Sequence, residues 1–313
     1  MSQKINLYWY RHKEGNGNFG DELNPYVIEK LSGQKTNHIS IEYLNNNFVL
    51  SLKFLVSALL NKKIGFISFV KYLFWNVFGK PKVICAIGSI IQYIKYENAI
   101  IWGSGLISPK YKPQRANYLA VRGKYTQAQI NKSGLSVPVV LGDPALLLPL
   151  IYQPNLVKKK YKVGVIPHYS HYSTVDAHSN DSFLLINLLD DIELIIDQIN
   201  SCDFILSTSL HGLIVSHAYN VPALWVNFHE LQNSLFGDDF KFKDYFSSVN
   251  LNEYEAINLS IKELSDLPGI NEYHEKNIQL LPNKDVIKAI SIDLLKSAPF
   301  TILSKYLTYE TAD

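Results

Sequence analysis

Two carboxylates, two histidines and one arginine stand where they could do chemistry. Asp21 and Glu22 follow a run rich in glycine and asparagine, Gly15-Asn16-Gly17-Asn18-Phe19-Gly20. Carboxylates and amides hydrogen-bond sugar hydroxyls, and a carboxylate held in a cleft can act as a general base. Asn18, Asp21 and Glu22 are therefore the candidates for binding an acceptor sugar, and Asp21 is the candidate base. The plainer alternative is that Asp21 only caps the helix it opens. The run also spells G-x-G-x-x-G, and Glu42 follows at about the twenty-residue spacing of a dinucleotide site. The carboxylates argue against that reading. They occupy the helix turn where a diphosphate would dock, and they would meet it with like charge.

His211 belongs to the turn Thr208-Ser209-Leu210-His211-Gly212, between an apolar strand and a helix. Amides at a helix start plus an imidazole make a site for phosphate or carboxylate. Ser209, Leu210, His211 and Gly212 are thus candidate anion-binding residues. An imidazole beside a helix N-terminus has its pKa lowered until an anion binds, which suits proton exchange. Arg122 closes another apolar strand, and a guanidinium aimed into a cleft matches a carboxylate or phosphate bidentately. A surface ion pair is the plainer alternative there. His168 follows a strand in Ile166-Pro167-His168-Tyr169-Ser170-His171 and is a further candidate for proton transfer or substrate binding. His168, His171, Asp176 and His178 match no strong zinc spacing, and no metal is expected.

These residues need a scaffold that brings them to one place. Apolar runs at 5–10, 39–43, 83–87, 99–102, 118–121, 137–141, 163–166, 204–207 and 223–226 read as strands. Helices are expected at 21–31, 124–132, 191–200, 213–219 and 286–295. Strands alternating with helices imply parallel sheets built from βαβ units. Pro149, Pro154 and Lys158-Lys159-Lys160 mark a linker. The expected fold is α/β, two Rossmann-like domains facing a cleft. Residues 1–150 would form the acceptor side and 151–313 the donor side, with the last helix crossing back. Ligands of open α/β sheets bind at the carboxyl ends of the strands, where the cleft would lie.

Composition narrows the class. With 47% hydrophobic and 19% charged residues the chain is an ordinary globular one, and a net charge of +2 gives no pull toward nucleic acid. Cys85 and Cys202 sit in apolar runs and suggest no disulfide framework, so a reducing compartment fits. Residues 1–4 lead straight into a strand without the apolar core of a secretion signal. No window reaches the ~20 apolar residues of a spanning helix. A cytoplasmic protein is expected. The segment 48–82 stands out. Between Glu42 and Glu97 there is no Asp or Glu, whereas Lys53, Lys62, Lys63, Lys71, Lys80 and Lys82 lie among Phe, Leu, Ile and Trp75. A basic amphipathic helix can lie on an anionic membrane, which would make the protein peripheral at the inner face of the membrane. A core helix pair with a solvated lysine edge is the competing expectation.

Several stretches together resemble the polysaccharide pyruvyl transferase family. They are Gly17-Asn18-Phe19-Gly20-Asp21-Glu22-Leu23-Asn24-Pro25, Trp102-Gly103-Ser104-Gly105, Val121-Arg122-Gly123-Lys124-Tyr125-Thr126, Gly142-Asp143-Pro144-Ala145, Ile166-Pro167-His168 and Ser209-Leu210-His211-Gly212. They occur in the family's order across residues 5–230, and the first and last are the most specific. The likeness is greatest to members acting on bacterial exopolysaccharide repeat units such as succinoglycan.

The resemblance implies a GT-B-like pair of Rossmann units and phosphoenolpyruvate as co-substrate, with no cofactor. It implies a pyruvate ketal on a hexose as product, the acceptor being a sugar or a lipid-linked oligosaccharide. It sets Arg122 and His211 at positions that hold the donor's anionic groups. Gly123 departs from the family, which often has an acid there, and the stretch 48–78 has no counterpart. Ketal formation needs an acid for the enol methylene, His211 or His168, and a base for the hydroxyl, Asp21. The alternative enzyme is a GT-B-like glycosyltransferase using a nucleotide sugar. The alternative outside enzymes is a carbohydrate-binding protein, against which the three charged groups Arg122, His211 and Asp21 speak.

Overall fold

Short apolar strands joined by helices build two all-parallel sheets. The structure is a computed structural model, and it describes residues 4–11, 17–44, 47–154, 158–177, 183–231, 239–266 and 279–307. The first sheet contains β1 (Ile5–Leu7), β2 (Thr36–His38), β3 (Val83–Cys85), β4 (Ala99–Trp102), β5 (Asn117–Val121) and β6 (Val140–Leu141), in the order β2-β1-β3-β4-β5-β6. The second contains β7 (Tyr161–Ile166), β8 (Leu184–Leu185), β9 (Cys202–Ser207), β10 (Ala223–Phe228) and β11 (Ile257–Leu259), in the order β11-β10-β9-β7-β8. Strand order reverses at β1 in one sheet and at β7 in the other. Those reversal points, at the strands' carboxyl ends, are where open α/β sheets bind ligands.

The helix after β1 shows how local sequence places a candidate site. Helix α1 (Phe19–Ser32) has Asn18 as N-cap and ends at Gly33, whose φ of 68° is one that glycine adopts at no cost. Leu23, Val27, Ile28 and Leu31 recur at helical spacing and are fully buried. Pro25 lies inside the helix and cannot donate to the carbonyl of Asp21. The side-chain amide of Asn24 donates to that carbonyl instead, at 3.1 Å. The same amide donates to Ile87 O at 3.1 Å, and Asn24 Oδ1 accepts from Ile87 N at 2.8 Å. The pair Asn24-Pro25 thereby ties the start of α1 to the loop after β3.

Two expectations are corrected. The second strand is 36–38, and Ile41–Tyr43 forms a turn of 3-10 helix that carries Ile41, Tyr43 and Leu44 into the core. Ile41 and Tyr43 alternate as in a strand, but the adjacent Tyr43 and Leu44 are both buried in one cluster, which a tight helical turn achieves and one face of a strand does not. The helix after β9, α8, spans Leu210–Ala218 rather than starting at 213, so His211 and Gly212 lie in its first turn. The stretch after Asn47 is a hairpin of two helices, α2 (Phe48–Leu60) and α3 (Phe66–Phe78).

The two sheets do not stand apart. One apolar cluster joins Leu23 and Val27 of α1 to Ile195 of α7 (Ile192–Asn200) and Leu213 of α8. The helix Lys284–Lys296, far down the chain, packs on the first sheet: Leu294 O accepts from Trp102 Nε1 at 3.0 Å. Cys85 and Cys202 are buried free thiols.

Candidate active site

The candidate residues come from loops that follow β1, β5, β6, β7 and β9, and they converge beside the start of α1. The close approach is set by Gly20. A Cβ there would lie 2.1 Å from Nδ1 of His211, so the imidazole rests directly on the α1 backbone next to Asp21. Turn 208–212 is held for this by Ser207, whose Oγ accepts from Ser209 N at 3.0 Å and shares its single proton between Ser209 O at 2.9 Å and Ile166 O at 3.1 Å. Gly212 leaves room for that hydroxyl, which would be 2.3 Å from a Cβ. Ser209 and Leu210 are buried in the turn.

Across the ring from Gly20 lies Asp143. Its Oδ1 accepts from Ala145 N at 3.0 Å and fixes the turn before the buried segment 144–147, which packs on α8. Its Oδ2 faces His211 Nε2 at 3.8 Å. Both atoms are buried and neither has a hydrogen-bond partner. A buried polar atom left unpaired costs free energy, so this facing pair is sensitive to any charge brought near it. Burial pushes the Asp143 carboxyl up to about 7. Burial, then the positive charges of Arg122 and Lys241, hold the His211 imidazole down to about 3. The imidazole is thus neutral at physiological pH in the absence of an anion.

Asp21 is also poised near neutrality. Burial raises its pKa to about 7, against a lowering contact from Asn18 and with a smaller push from Glu22. Asn18 Nδ2 lies 3.5 Å from Asp21 Oδ2, and Asn18 Oδ1 is buried without a partner. The pKa of Tyr169 is raised by burial and then by the Asp21 charge, which sets the loop after β7 across from Asp21. In that loop His168 N donates to Thr208 Oγ1 at 2.8 Å, and His168 Nδ1 lies 2.7 Å from Ser170 Oγ. His168 is therefore anchored to the same turn that carries His211. Glu22 points another way, into a cleft of about 1660 Å³ lined also by Trp9, Gly17, His38, Glu42 and Lys63.

Arg122 is fully buried, and the carboxylate its position demands is internal. Asp244, on α9 (Phe240–Ser248), accepts from Arg122 Nε at 3.0 Å, with Nη2 also 3.0 Å from the same oxygen. Nη2 donates to Leu106 O at 2.7 Å and Nη1 to Ser89 Oγ at 2.5 Å. Asp244 also accepts from Thr126 N and Thr126 Oγ1, at 2.8 and 2.7 Å, and so caps α4 (Lys124–Lys132) from another part of the chain. Gly123 explains itself here, since a Cβ would lie 1.7 Å from Asp244 O. Arg122 thus acts on the site through its fixed positive charge, felt by both His211 and Asp143.

Lys241 is the second positive charge near His211. Burial, then the repulsion of Arg122, lowers its pKa to about 8. Sequence reasoning missed Lys241 and Asp244, which follow no motif. It quoted Asp143 without a role, although an acid between Gly142 and Pro144 at a strand's carboxyl end was the signal. Among the described residues no group of three His, Cys, Asp or Glu is placed to hold a metal ion. His168 and His171 have ring centroids 6.0 Å apart, and His178 lies outside the described residues.

Comparison with known proteins shows the family. The family model for polysaccharide pyruvyl transferase matches residues 18–230, which begins at the α1 N-cap and passes beyond His211, and the chain belongs to that family. An uncharacterized protein of Acanthamoeba polyphaga mimivirus is 28% identical over 257 residues, which cover 73% of this chain and 88% of that protein. Membership makes the protein a transferase of the polysaccharide pyruvyl type, and it does not favour a nucleotide-sugar glycosyltransferase.

Proposed function

We propose that the protein transfers the pyruvyl group of phosphoenolpyruvate to two hydroxyls of a sugar, forming a pyruvate ketal and releasing phosphate. The observation that carries this reading is the facing pair of His211 Nε2 and Asp143 Oδ2, 3.8 Å apart and buried, with the imidazole resting on the α1 backbone next to Asp21. The donor's phosphate and carboxylate need positive charge and donors. Lys241, the fixed charge of Arg122 and the first-turn amides of α8 supply them, with Ser209, Leu210 and Gly212 shaping the turn.

Chemistry then follows from proton positions. A proton added to the enol methylene makes a methyl group and leaves the central carbon positive. A first sugar hydroxyl attacks that carbon and gives its proton to Asp21, whose pKa of about 7 suits a base. Phosphate departs with the C–O bond electrons, and the second hydroxyl closes the ketal, its proton leaving with phosphate. His211 is the acid in this scheme: a bound trianionic donor raises its low pKa, and the imidazole takes up a proton from solvent. His168, in the loop after β7 and bonded to the turn through Thr208, is the second candidate acid. Asn18 and Glu22 bind acceptor hydroxyls, and the cleft beside Glu22 accommodates the sugar chain, free or lipid-linked.

The test is to incubate the protein with phosphoenolpyruvate and candidate saccharides. Stoichiometric phosphate release with a product heavier by one pyruvate, less one water, is the expected result. Phosphate release from no acceptor, together with transfer from a UDP- or CMP-sugar, would sink the reading. Asp21→Ala and His211→Ala should each cost about 10²–10⁴-fold in rate.

A further inference from the structure

The helical hairpin α2–α3 carries none of the residues placed at the candidate active site. One face of it is anchored. Tyr72 is buried, its OH accepts from Ser40 N at 2.8 Å, and its ring meets those of Tyr43 and Trp75 at 5.1 and 5.4 Å. Asn76 Nδ2 donates to Tyr43 O at 2.9 Å. Leu55 and Ala58 of α2 are buried in the same cluster. The opposite face is apolar and open. Among the described residues, twelve of the twenty-three exposed large hydrophobic side chains lie between Phe48 and Phe78. On α3 they form a stripe at helical spacing: Ile67, Val70, Phe74 and Phe78 are 85, 45, 56 and 74% exposed. Exposed apolar surface gathered in this way marks an interaction site rather than chance.

Charge says what covers it. No acidic residue occurs between Glu42 and Glu97, and Lys53, Lys62 and Lys63 are exposed on and beside α2. A protein partner or a second copy would bring acids in patches to match the lysines, and this face offers a second copy only more lysine. A bilayer with anionic headgroups offers both an apolar layer and negative charge over a broad plane. Depth agrees as well. Each helix has 13 residues. At 1.5 Å per residue that is roughly 20 Å, short of the ~30 Å hydrocarbon core, so the hairpin lies in the interface. Among the described residues no helix is long and apolar enough to cross a membrane.

We propose that the α2–α3 hairpin is a docking surface for an anionic lipid bilayer, with its open apolar stripe in the headgroup boundary and its lysines on the lipid phosphates. Geometry gives the docking a use. Lys63 and Ile64, in the loop between the helices, line the same cleft as Glu22 and Trp9. A docked hairpin therefore brings the mouth of that cleft to the lipid surface. The docking itself stands apart from the pyruvyl-transfer reading, and its test does not use activity.

Flotation of the full chain with vesicles decides the matter. Vesicles of phosphatidylcholine with about 30% phosphatidylglycerol should carry the protein up, binding at least roughly tenfold better than pure phosphatidylcholine, and high salt should weaken it. The triple variant Ile67→Ser, Phe74→Ser, Phe78→Ser and the charge variant Lys53→Glu, Lys62→Glu, Lys63→Glu should each lose roughly tenfold or more. These side chains lie on the open face, so unchanged thermal melting confirms that the fold survives. Failure to float with anionic vesicles overturns the proposal. So does equal binding by the triple variant, or a stable dimer in sedimentation that the triple variant dissolves.

Discussion

His211 Nε2 and Asp143 Oδ2 face each other at 3.8 Å, buried, with neither atom hydrogen-bonded. The imidazole is held down to about 3 and the carboxyl up to about 7, so in the empty site both groups are disposed to be neutral. An anionic donor placed beside them favours the protonated form of each. Binding of phosphoenolpyruvate at about pH 7 should therefore take up protons, on the order of one per site. Titration calorimetry in buffers of different ionisation enthalpy reads this directly. His211→Gln should bind with clearly less uptake, and uptake equal to wild type would remove His211 from the protonation step.

Gly20 sets the position of that imidazole. A methyl group at Gly20 would overlap the ring, 2.1 Å from Nδ1, and the ring can yield only by leaving Asp143 or the α1 backbone. Glycine inside a helix costs about 1 kcal/mol relative to alanine, so Gly20→Ala should not destabilise α1 itself. A displacement of the order of 1 Å can cost about 10²-fold in rate. The expected result is a folded variant with kcat/KM for phosphate release reduced about that much. Full activity in Gly20→Ala would mean that the ring position is irrelevant.

The Arg122–Asp244 pair answers a different question, because it holds elements far apart in the chain. Both side chains are fully buried, and Asp244 also caps α4 through Thr126. Removing one partner of a buried pair leaves an uncompensated charge and costs about 3–5 kcal/mol. Asp244→Ala should show this loss in urea unfolding. The double variant Arg122→Met, Asp244→Leu removes both charges and should recover a large part of it. If Asp244→Ala unfolds like wild type, the pair contributes nothing to the fold.

The sequence was most legible where one local signal sufficed. Strand β4 over Ala99–Trp102 and helix α4 over Lys124–Lys132 fall where the apolar run and the periodicity put them, the helix stopping before Gly134. Asp21, His211 and His168 were recognised because each follows a strand at its carboxyl end. The partner of Arg122 was invisible, since Asp244 is 122 positions away in Phe242-Lys243-Asp244-Tyr245-Phe246, which spells an ordinary amphipathic helix. Lys241 was missed for the same reason, and Asp143, though its motif was visible, was given no role. Their roles come from burial beside other charges, and burial of a charge is a property of the packed chain.

Buried titratable groups leave a mark on stability that a single substitution can expose. Asp21 and Asp143 have folded pKa values of about 7 against 3.8 when unfolded, so the stability they give is complete below 3.8 and is lost as pH climbs through 7. His211 and His217 have folded values of about 3 and about 4 against 6.5, so their contribution is complete above 6.5 and is lost as pH falls. Between about pH 4.5 and 6 the folded state holds two protons on the carboxyls and the unfolded state holds two on the imidazoles. The slopes of these four groups then cancel. Asp21→Asn removes one folded-state proton and leaves the rest. Its stability should rise with pH relative to wild type by about 1.4 kcal/mol per pH unit across that window. Urea unfolding of the two proteins at several pH values measures the difference. A level difference curve would show that the Asp21 carboxyl titrates as it does in an unfolded chain, and its role as a base poised near neutrality would fall with it.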